Sequence, residues 1–206
     1  DVILEGTNFL NTDLSGVDFT VASINHGIIF IKANLSNSNF DGVNLSPTKF
    51  FKKEFKNVDK DVIEGDYTRS LSLFRDLGYT GHIQGIGHIG FDNIRIISNE
   101  INGNNITLEF IFYNNFGGAN LENANFKNAG LWFANFYSAN LTNADLSGAD
   151  LRKGTLSYAN LSNANLRNAN LIETDLTGAN LTGADLFGVT YDESTVLDCI
   201  GHPICG

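Results

Sequence analysis

An apolar residue recurs at every fifth position through the C-terminal part of the chain. On an α-helix, residues five apart are rotated by about 140°, so they form no apolar stripe. On a straight strand, a step of five sends every second side chain to the opposite face. The pattern therefore fits neither element. The centres are Phe116, Leu121, Phe126, Leu131, Phe136, Leu141, Leu146, Leu151, Leu156, Leu161, Leu166, Leu171, Leu176, Leu181 and Leu186, followed by Tyr191.

A chain that turns a corner once per pentad satisfies this pattern, because each short side then points the same two residues inward. Stacked turns would pair their backbones and share one continuous core, which is the logic of a solenoid. The residue two before each centre is mostly Ala, which is small enough to lie under a corner, and the residue before the centre is mostly Asn or Asp. We therefore predict an all-β solenoid whose core consists of the fifteen centres from Phe116 to Leu186.

The pentads "ADLSG", "ANLTG" and "ANLSN" resemble the repeat A-(N/D)-L-X-X of the pentapeptide-repeat family. The resemblance implies a right-handed quadrilateral β-helix with four pentads per turn, so that 112–191 would form four turns. The Leu-rich stretch "ANLSNANLRNANL" is closest in style to cyanobacterial and thylakoid-lumen members. Some members of the family resemble a DNA duplex in width and charge and bind type II topoisomerases such as gyrase.

A second run of centres occupies the N-terminus and contains one step of six, between Ile24 and Phe30, which we assign to a bulge within 25–27. With four sides per turn, Phe9, Phe30 and Phe50 would share one wall and Phe19 and Phe40 the opposite wall. Phe116 and Phe136 would stack in the same way. The full run is Leu4, Phe9, Leu14, Phe19, Ile24, Phe30, Leu35, Phe40, Leu45 and Phe50.

Between the two runs the repeat is interrupted. We divide the chain into N-terminal coils 1–50, an insertion 51–111, regular coils 112–191 and a C-terminal cap 192–206. Within the insertion, "DYTRSLSLFRDLG" predicts a short helix from Asp66 to Gly78. The segments "NIRIIS" and "ITLEFIFY" flank "NGNN", which is a hairpin pattern. An alternative stays open: degenerate coils centred on Ile86, Phe91, Ile96, Ile101, Ile106 and Ile111, which stand five apart.

No motif in the chain predicts catalysis, a cofactor or a metal. "GIGHIG", from Gly85 to Gly90, matches a dinucleotide-binding pattern, but strand-like residues follow it where a helix is required. His82 and His88 lie close in sequence without a Cys or carboxylate at metal-ligand spacing. An enzyme with its site in 79–113 is supported only by these two histidines and some glycines.

The only two cysteines lie near the C-terminus in "CIGHPIC". Cys199 and Cys205 are compatible with a disulfide, with free thiols, or with three zinc ligands if His202 joins them, although a structural zinc site needs a fourth. We predict the disulfide, which would hold the tail across the open end of the rod, where unpaired backbone groups and the Leu core need a cap.

The net charge of −10 argues against direct nucleic-acid binding, which needs clustered Lys and Arg. No apolar run is long enough to span a bilayer, although association with a membrane protein complex stays open. The chain starts at Asp1 in repeat register and contains no Met. We expect that an export or transit segment has been removed, and we place the protein outside the cytoplasm, in the thylakoid lumen or the periplasm.

The walls of such a rod would present short amides and hydroxyls on a rigid lattice. We therefore predict a non-enzymatic scaffold that binds another protein, with the insertion 51–111 as its recognition surface, because departures from a solenoid repeat are where specific binding usually occurs. The alternative from the family is a DNA-mimic regulator of a type II topoisomerase such as gyrase.

Overall fold

The computed structural model shows two runs of repeats joined into one stack of coils, with small antiparallel sheets between them. No helix in the described part of the chain is both long enough and apolar enough to cross a bilayer. The described residues are 2–4, 7–24, 28–47, 51–55, 82–83, 87–88, 94–103 and 105–205.

Successive coils pair through isolated parallel β-bridges. Within the regular coils each bridge joins residues 20 apart, as for Asn115 with Asn135, and the bridges recur every five residues. Each coil therefore has four sides. We name the walls by their bridged residues: wall A holds Asn115, Asn135, Thr155 and Asp175; wall B holds Asn120, Asn140, Asn160 and Asn180; wall C holds Asn125, Asp145, Asn165 and Asp185; wall D holds Gly130, Asp150, Asn170 and Thr190.

The repeat residues make each corner by local hydrogen bonding. The Asn or Asp before each centre accepts the backbone N–H two residues ahead, as Asn125 does from Lys127 at 3.0 Å, which closes a turn. The residue two after each centre adopts the left-handed region, with φ of 55° at Asn123 and 57° at Asn143. Asn and Gly enter this region at the lowest cost, which explains why they recur at the corners.

The centres form the core. Every centre from Phe116 to Leu181 has a relative exposure of 1% or less, and Leu186 at the end of the stack has 8%. Burying each Leu or Phe contributes about 1.5 to 3 kcal/mol. The alanines two residues earlier, such as Ala124 and Ala144, are also buried. The interior therefore consists of the large central side chains with a small alanine methyl beside each one.

The phenylalanines at the repeat centres form two columns, as the sequence predicts. Rings within a column are stacked, and rings in neighbouring columns meet edge to face, for example Phe116 and Phe126 at 5.8 Å. Such pairs add about 0.5 to 1.5 kcal/mol beyond burial. The stacked centroid distances are 5.4 Å for Phe9–Phe30, 4.3 Å for Phe19–Phe40, 4.9 Å for Phe30–Phe116, 4.7 Å for Phe40–Phe126 and 4.7 Å for Phe116–Phe136.

At the N-terminus, strand β1 (Val2–Ile3) pairs in parallel with strand β2 (Ala22–Ser23), and Ile3 lies opposite Ser23. The next bridge joins Asn8 to Ile29, so its offset is 21 rather than 20. The extra residue therefore enters between Ser23 and Ile29. This interval includes 25–27, where the sequence predicts a bulge, but residues 25–27 lie outside the described ranges.

The insertion does not divide the stack, because the coil 28–47 pairs directly with the coil 115–134. Ile29 bridges to Asn115 at an offset of 86, compared with 20 in an uninterrupted coil. Phe116 lies on Phe30, in the position that the sequence predicted for Phe50. The stacking partner of Phe30 is therefore set by which coils lie next to each other and not by distance along the chain. Phe50 itself lies outside the described ranges.

One side chain closes the junction where the insertion returns. Asn114 is buried, with 1% exposure. Its Oδ1 accepts the backbone N–H of Ile28 at 2.8 Å, and its Nδ2 donates to the carbonyl of Leu45. The amide therefore satisfies two backbone groups that the interruption separates from their usual neighbours.

Within the insertion the described strands are β3 (Phe51–Phe55), β4 (His82–Ile83), β5 (Gly87–His88), β6 (Ile94–Asn102) and β7 (Asn105–Phe112). Strands β3, β7 and β6 form an antiparallel sheet in that order, with a bulge between Ile96 and Ser98. Strands β4 and β5 pair with each other. The structure thus contains the hairpin of the sequence analysis rather than degenerate coils, and β7 continues one residue into the predicted range 112–191.

The predicted helix from Asp66 to Gly78 lies outside the described residues. At the C-terminus, Val196 and Ile200 bridge to Asp175 and Asn180 and extend walls A and B by half a coil. The cap therefore begins as a continuation of the lattice. Cys199 and Cys205 are joined by a disulfide with a Cα–Cα distance of 5.0 Å.

Candidate interaction surface

The walls present polar groups that already bind one another. On wall B the Nδ2 of Asn140 donates to the Oδ1 of Asn120 at 3.0 Å, and Asn120 donates in turn to Asn34 at 3.2 Å. Thr142 and Ser162 donate their hydroxyls to the Asn two residues earlier. Such a ladder stabilises the stack and leaves few side-chain groups on this wall for a ligand.

The acidic residues of wall C are separated and partly paired. Asp145 and Asp185 lie on either side of Asn165, whose Nδ2 donates to Asp145 at 3.0 Å. Arg167 donates to Asp185 at 2.9 Å. The backbone N–H of Phe187, followed by Arg167, holds the pKa of Asp185 below its ordinary value. Wall C is thus not a continuous row of carboxylates.

A different composition marks the corner between walls D and A, where the insertion leaves and returns. Three successive coils place large or charged side chains there instead of the usual Asn, Ser, Thr or Gly. We name this set the corner column: Trp132 and Phe133, then Arg152 and Lys153, then Ile172 and Glu173. Residues in the same position of successive coils lie about 5 Å apart.

The corner column is held by aromatic and ionic contacts. Phe133 is buried despite a φ of 62°, a conformation that is costly for an aromatic residue. Its ring contacts Trp132 at 4.6 Å between centroids, and the Nζ of Lys153 lies 5.9 Å from its centroid. Lys153 also lies 3.3 Å from Glu173. This corner position has a positive φ in every regular coil, so the unusual feature is the aromatic side chain that occupies it here.

A surface pocket of about 350 Å³ opens in this column, lined by Trp132, Arg152, Lys153, Ile172 and Glu173. The guanidinium of Arg152 lies against Asp150 in a two-pronged pair, with Nε at 2.7 Å from Oδ1 and Nη2 at 2.6 Å from Oδ2. This pairing raises the pKa of Arg152. The pocket combines an indole, an aliphatic side chain and fixed charges, which is the usual make-up of a recognition site.

The insertion supplies the second unusual surface. The register of β3 with β7 places Phe51 opposite Phe110 and Glu54 opposite Thr107, so this sheet mixes apolar and charged residues where the coils use short amides. In the β4–β5 pair, His82 lies opposite His88. In the part of the chain that the structure describes, no three His, Cys, Asp or Glu residues form a metal-binding group.

Sequence reasoning singled out the insertion but missed the corner column. A signal was present: Trp132 is the only Trp of the chain, and "WF", "RK" and "IE" replace the small polar residues of the repeat once per turn. The departure is visible only when the pentads are aligned by turn rather than one after another.

The sequence model of the pentapeptide-repeat family, described as pentapeptide repeats, matches in eight copies over residues 26–50, 115–153 and 155–190. The chain belongs to this family. The matched ranges lie on both sides of the insertion 51–111 and exclude all of it. This agrees with the direct pairing of coils 28–47 and 115–134. A comparison with curated protein sequences finds no significant match.

Solved structures of pentapeptide-repeat proteins are similar to the chain. HetL, involved in regulating heterocyst differentiation in the cyanobacterium Nostoc, is 22% identical over 96% of this chain and 65% of its own, with a TM-score of 0.42. The chain thus spans slightly less than two thirds of HetL. A pentapeptide-repeat protein of the Arabidopsis thaliana thylakoid lumen is 38% identical over 45% of this chain and 72% of its own, with a TM-score of 0.31.

A third similar structure is trypsin-treated QnrB1, a plasmid-mediated fluoroquinolone resistance protein. It is 16% identical over 93% of this chain and 90% of its own, with a TM-score of 0.27.

Proposed function

We propose that the protein is a non-enzymatic scaffold, a right-handed quadrilateral β-helix that binds another protein through its insertion 51–111. The observation that carries the proposal is the bridge between Ile29 and Asn115, which lie on opposite sides of the insertion. The coils on both sides of the insertion keep the register of the lattice, so the insertion can diverge from the repeat without interrupting the stack. Loop-closure entropy grows slowly with length, so a long insertion at one corner costs little.

The walls support the same function because their polar groups are already hydrogen-bonded to one another. The amides and hydroxyls of the walls bind one another, and the inward groups are mostly hydrocarbon, so few groups of the rod are placed to act as a nucleophile or a general base. The insertion carries exposed polar and apolar residues, including Glu54 and Ile101. A rigid support with one divergent surface suits recognition of a macromolecule better than turnover of a substrate.

The test removes the insertion without disturbing the pentads. Joining Pro47 to Asn114 gives Asn115 the same spacing from Asn44 as the next pentad would have, which restores the uninterrupted coil. We expect this deletion variant to keep its β-rich circular dichroism and to lose the proteins that the full chain retains in an affinity capture. Lys127→Glu, at the corner between walls C and D, is the control and should retain them. An unchanged set of captured proteins in the deletion variant would refute the role of the insertion.

A DNA-mimic regulator of a type II topoisomerase is the second candidate, favoured by the net charge of −10. Two features weigh against it: Asp150 and Asp185 are paired with Arg152 and Arg167, and an amide interrupts the carboxylates of wall C. A gyrase supercoiling assay decides between the candidates. Inhibition, or protection of gyrase from a quinolone, by the insertion-deleted rod would support this candidate.

For location we propose an oxidising compartment, the thylakoid lumen or the periplasm. The disulfide between Cys199 and Cys205 supports it, because structural disulfides persist mainly where thiols are not kept reduced. Protein purified from its source under thiol-blocking conditions should show no free thiol before reduction and two after it. Two free thiols in the unreduced sample would place the protein in a reducing compartment.

A further inference from the structure

We propose that the corner pocket is a docking site for a peptide segment of the partner protein that inserts a bulky apolar side chain between Trp132 and Ile172 and places an acidic residue beside Arg152. The proposal rests on the proposed function, since it names the chemistry of the partner, but it uses residues of the rod rather than of the insertion. The two can therefore fail separately.

The width of the pocket follows from the lattice. Trp132 and Ile172 hold the same position two coils apart, so their backbones lie about 10 Å apart. Arg152 holds the same position in the coil between them. Its guanidinium nitrogens Nη2 and Nε lie 2.6 and 2.7 Å from the carboxylate oxygens of Asp150. Trp132 and Ile172 both line the pocket, together with Arg152. A ring that contacts both sides needs about 7 to 8 Å, which is two carbon contact distances.

The lining residues are of the kinds that dominate binding energy. Trp and Arg are the residues most enriched among interface hot spots, where an apolar anchor is surrounded by polar groups that exclude water. Here the indole and Ile172 supply the apolar sides, and the pairs Arg152–Asp150 and Lys153–Glu173 form the polar rim. The pocket volume of about 350 Å³ suits one or two side chains of a peptide.

The charges select an acidic neighbour for the anchor. A guanidinium has five N–H donors, and Arg152 gives two of its nitrogens, Nε and Nη2, to Asp150. Its remaining donors can bind a carboxylate without breaking that pair. Arg152 and Lys153 are the only adjacent basic residues between 114 and 206 in a chain with a net charge of −10. Asp150 and Glu173 balance these two charges, so an acidic segment is repelled less at this corner than elsewhere on the acidic chain, which gives orientation.

The single tryptophan makes the test direct, because the intrinsic Trp fluorescence of the full chain comes from the pocket. A random linear-peptide library displayed on phage is selected against the full chain. We expect the enriched peptides to share an aromatic or branched aliphatic residue next to Asp or Glu. A synthetic peptide of the enriched sequence should change the Trp132 fluorescence in a saturable way and bind more weakly as salt is raised.

Matched variants assign the binding to the pocket. Arg152→Gln should weaken the peptide about tenfold or more. Arg167→Gln is the control, since Arg167 has the same 47% side-chain exposure and also pairs with an Asp. Circular dichroism should be unchanged in both. Replacing the anchor residue of the peptide by Ala should abolish the fluorescence change.

Three results would overturn the docking proposal: enriched peptides without the apolar–acidic pair, equal weakening by both arginine variants, or phenylacetate binding as tightly as the peptide, which would make the site one for small carboxylates. If the peptide binds the pocket but the insertion deletion leaves partner capture intact, the proposed role of the insertion fails and the pocket stands. If the deletion abolishes capture but no peptide is selected, the docking proposal fails and the role of the insertion stands.

Discussion

The junction between the coils 28–47 and 115–134, where the insertion interrupts the chain, has the same lattice as the junction one coil further on. At the uninterrupted junction the backbone N–H of Ala134 donates to the carbonyl of Leu131 at 2.9 Å. At the interrupted junction the corresponding carbonyl, that of Leu45, accepts a hydrogen bond from the side-chain Nδ2 of Asn114. One side-chain amide therefore joins Leu45 and Ile28 at the corner where the chain is interrupted.

Asn114→Ala is the largest expected effect, because it breaks the interrupted junction alone. It leaves the carbonyl of Leu45 and the N–H of Ile28 without these partners. Each buried group without a partner costs about 1 to 3 kcal/mol, so the free energy of unfolding should fall by about 2 to 6 kcal/mol. Urea denaturation measures it, and a loss below about 1 kcal/mol would mean that water replaces the amide.

Ala134→Asn makes the reciprocal change at the uninterrupted junction. Ala134 is 1% exposed, and its own backbone N–H already donates to Leu131. An added amide there meets no unpaired backbone group of this turn, so we expect a loss of about 1 to 3 kcal/mol from overpacking and desolvation. The same denaturation experiment tests it. An unchanged free energy of unfolding would show that this inward position tolerates Asn in an uninterrupted coil as well. Asn114 would then have no special role at the interruption.

A smaller effect is a pH dependence of stability that differs along wall A. This wall carries Asn115 at the interruption and Asp175 three coils later. Burial raises the pKa of Asp175, but hydrogen bonds from Thr177 and Ser157 outweigh it, and the pKa is lowered overall. A lowered folded-state pKa adds stability above the ordinary Asp value of about 3.9, and this stability is lost as the pH falls through the folded pKa.

Comparing the chain with Asp175→Asn tests this. The chain should be the more stable of the two at pH 7, and the difference in thermal midpoint should shrink below a pH of about 4. A difference that is constant from neutral to acidic pH would assign the effect of Asp175 to its shape rather than its charge.

The smallest effect concerns the corner between walls A and B on either side of the insertion. Lys32 has a φ of 54°, whereas Gly118 holds the same position in the next coil with a φ of 63°. Because Asn enters the left-handed region more readily than Lys, Lys32→Asn should stabilise the protein by about 0.5 to 1 kcal/mol. A thermal melt measures the gain, and a lower midpoint would mean that the Lys32 side chain stabilises the fold.

Particular residues show how far the sequence predicts the fold and the site. The fifteen centres from Phe116 to Leu186 could be identified because a period of five admits neither a helix nor a straight strand. The unusual pairs of the corner column are visible in the sequence, but their pocket is not, since Trp132, Arg152 and Ile172 lie in three different coils and meet only after the coils are stacked. The pair between Arg152 and Asp150 beside the pocket depends on a side-chain conformation that no spacing encodes.

By itself, the sequence determined the solenoid, the inward residues and the ring columns, because these follow from a local period that every pentad repeats. The tertiary structure alone decided that Phe116 lies on Phe30, 86 residues away, and that Asn114 hydrogen-bonds across the corner. The reason is that coil stacking is a long-range contact: an insertion changes the sequence distance between two coils but not the hydrogen bonds that hold them together.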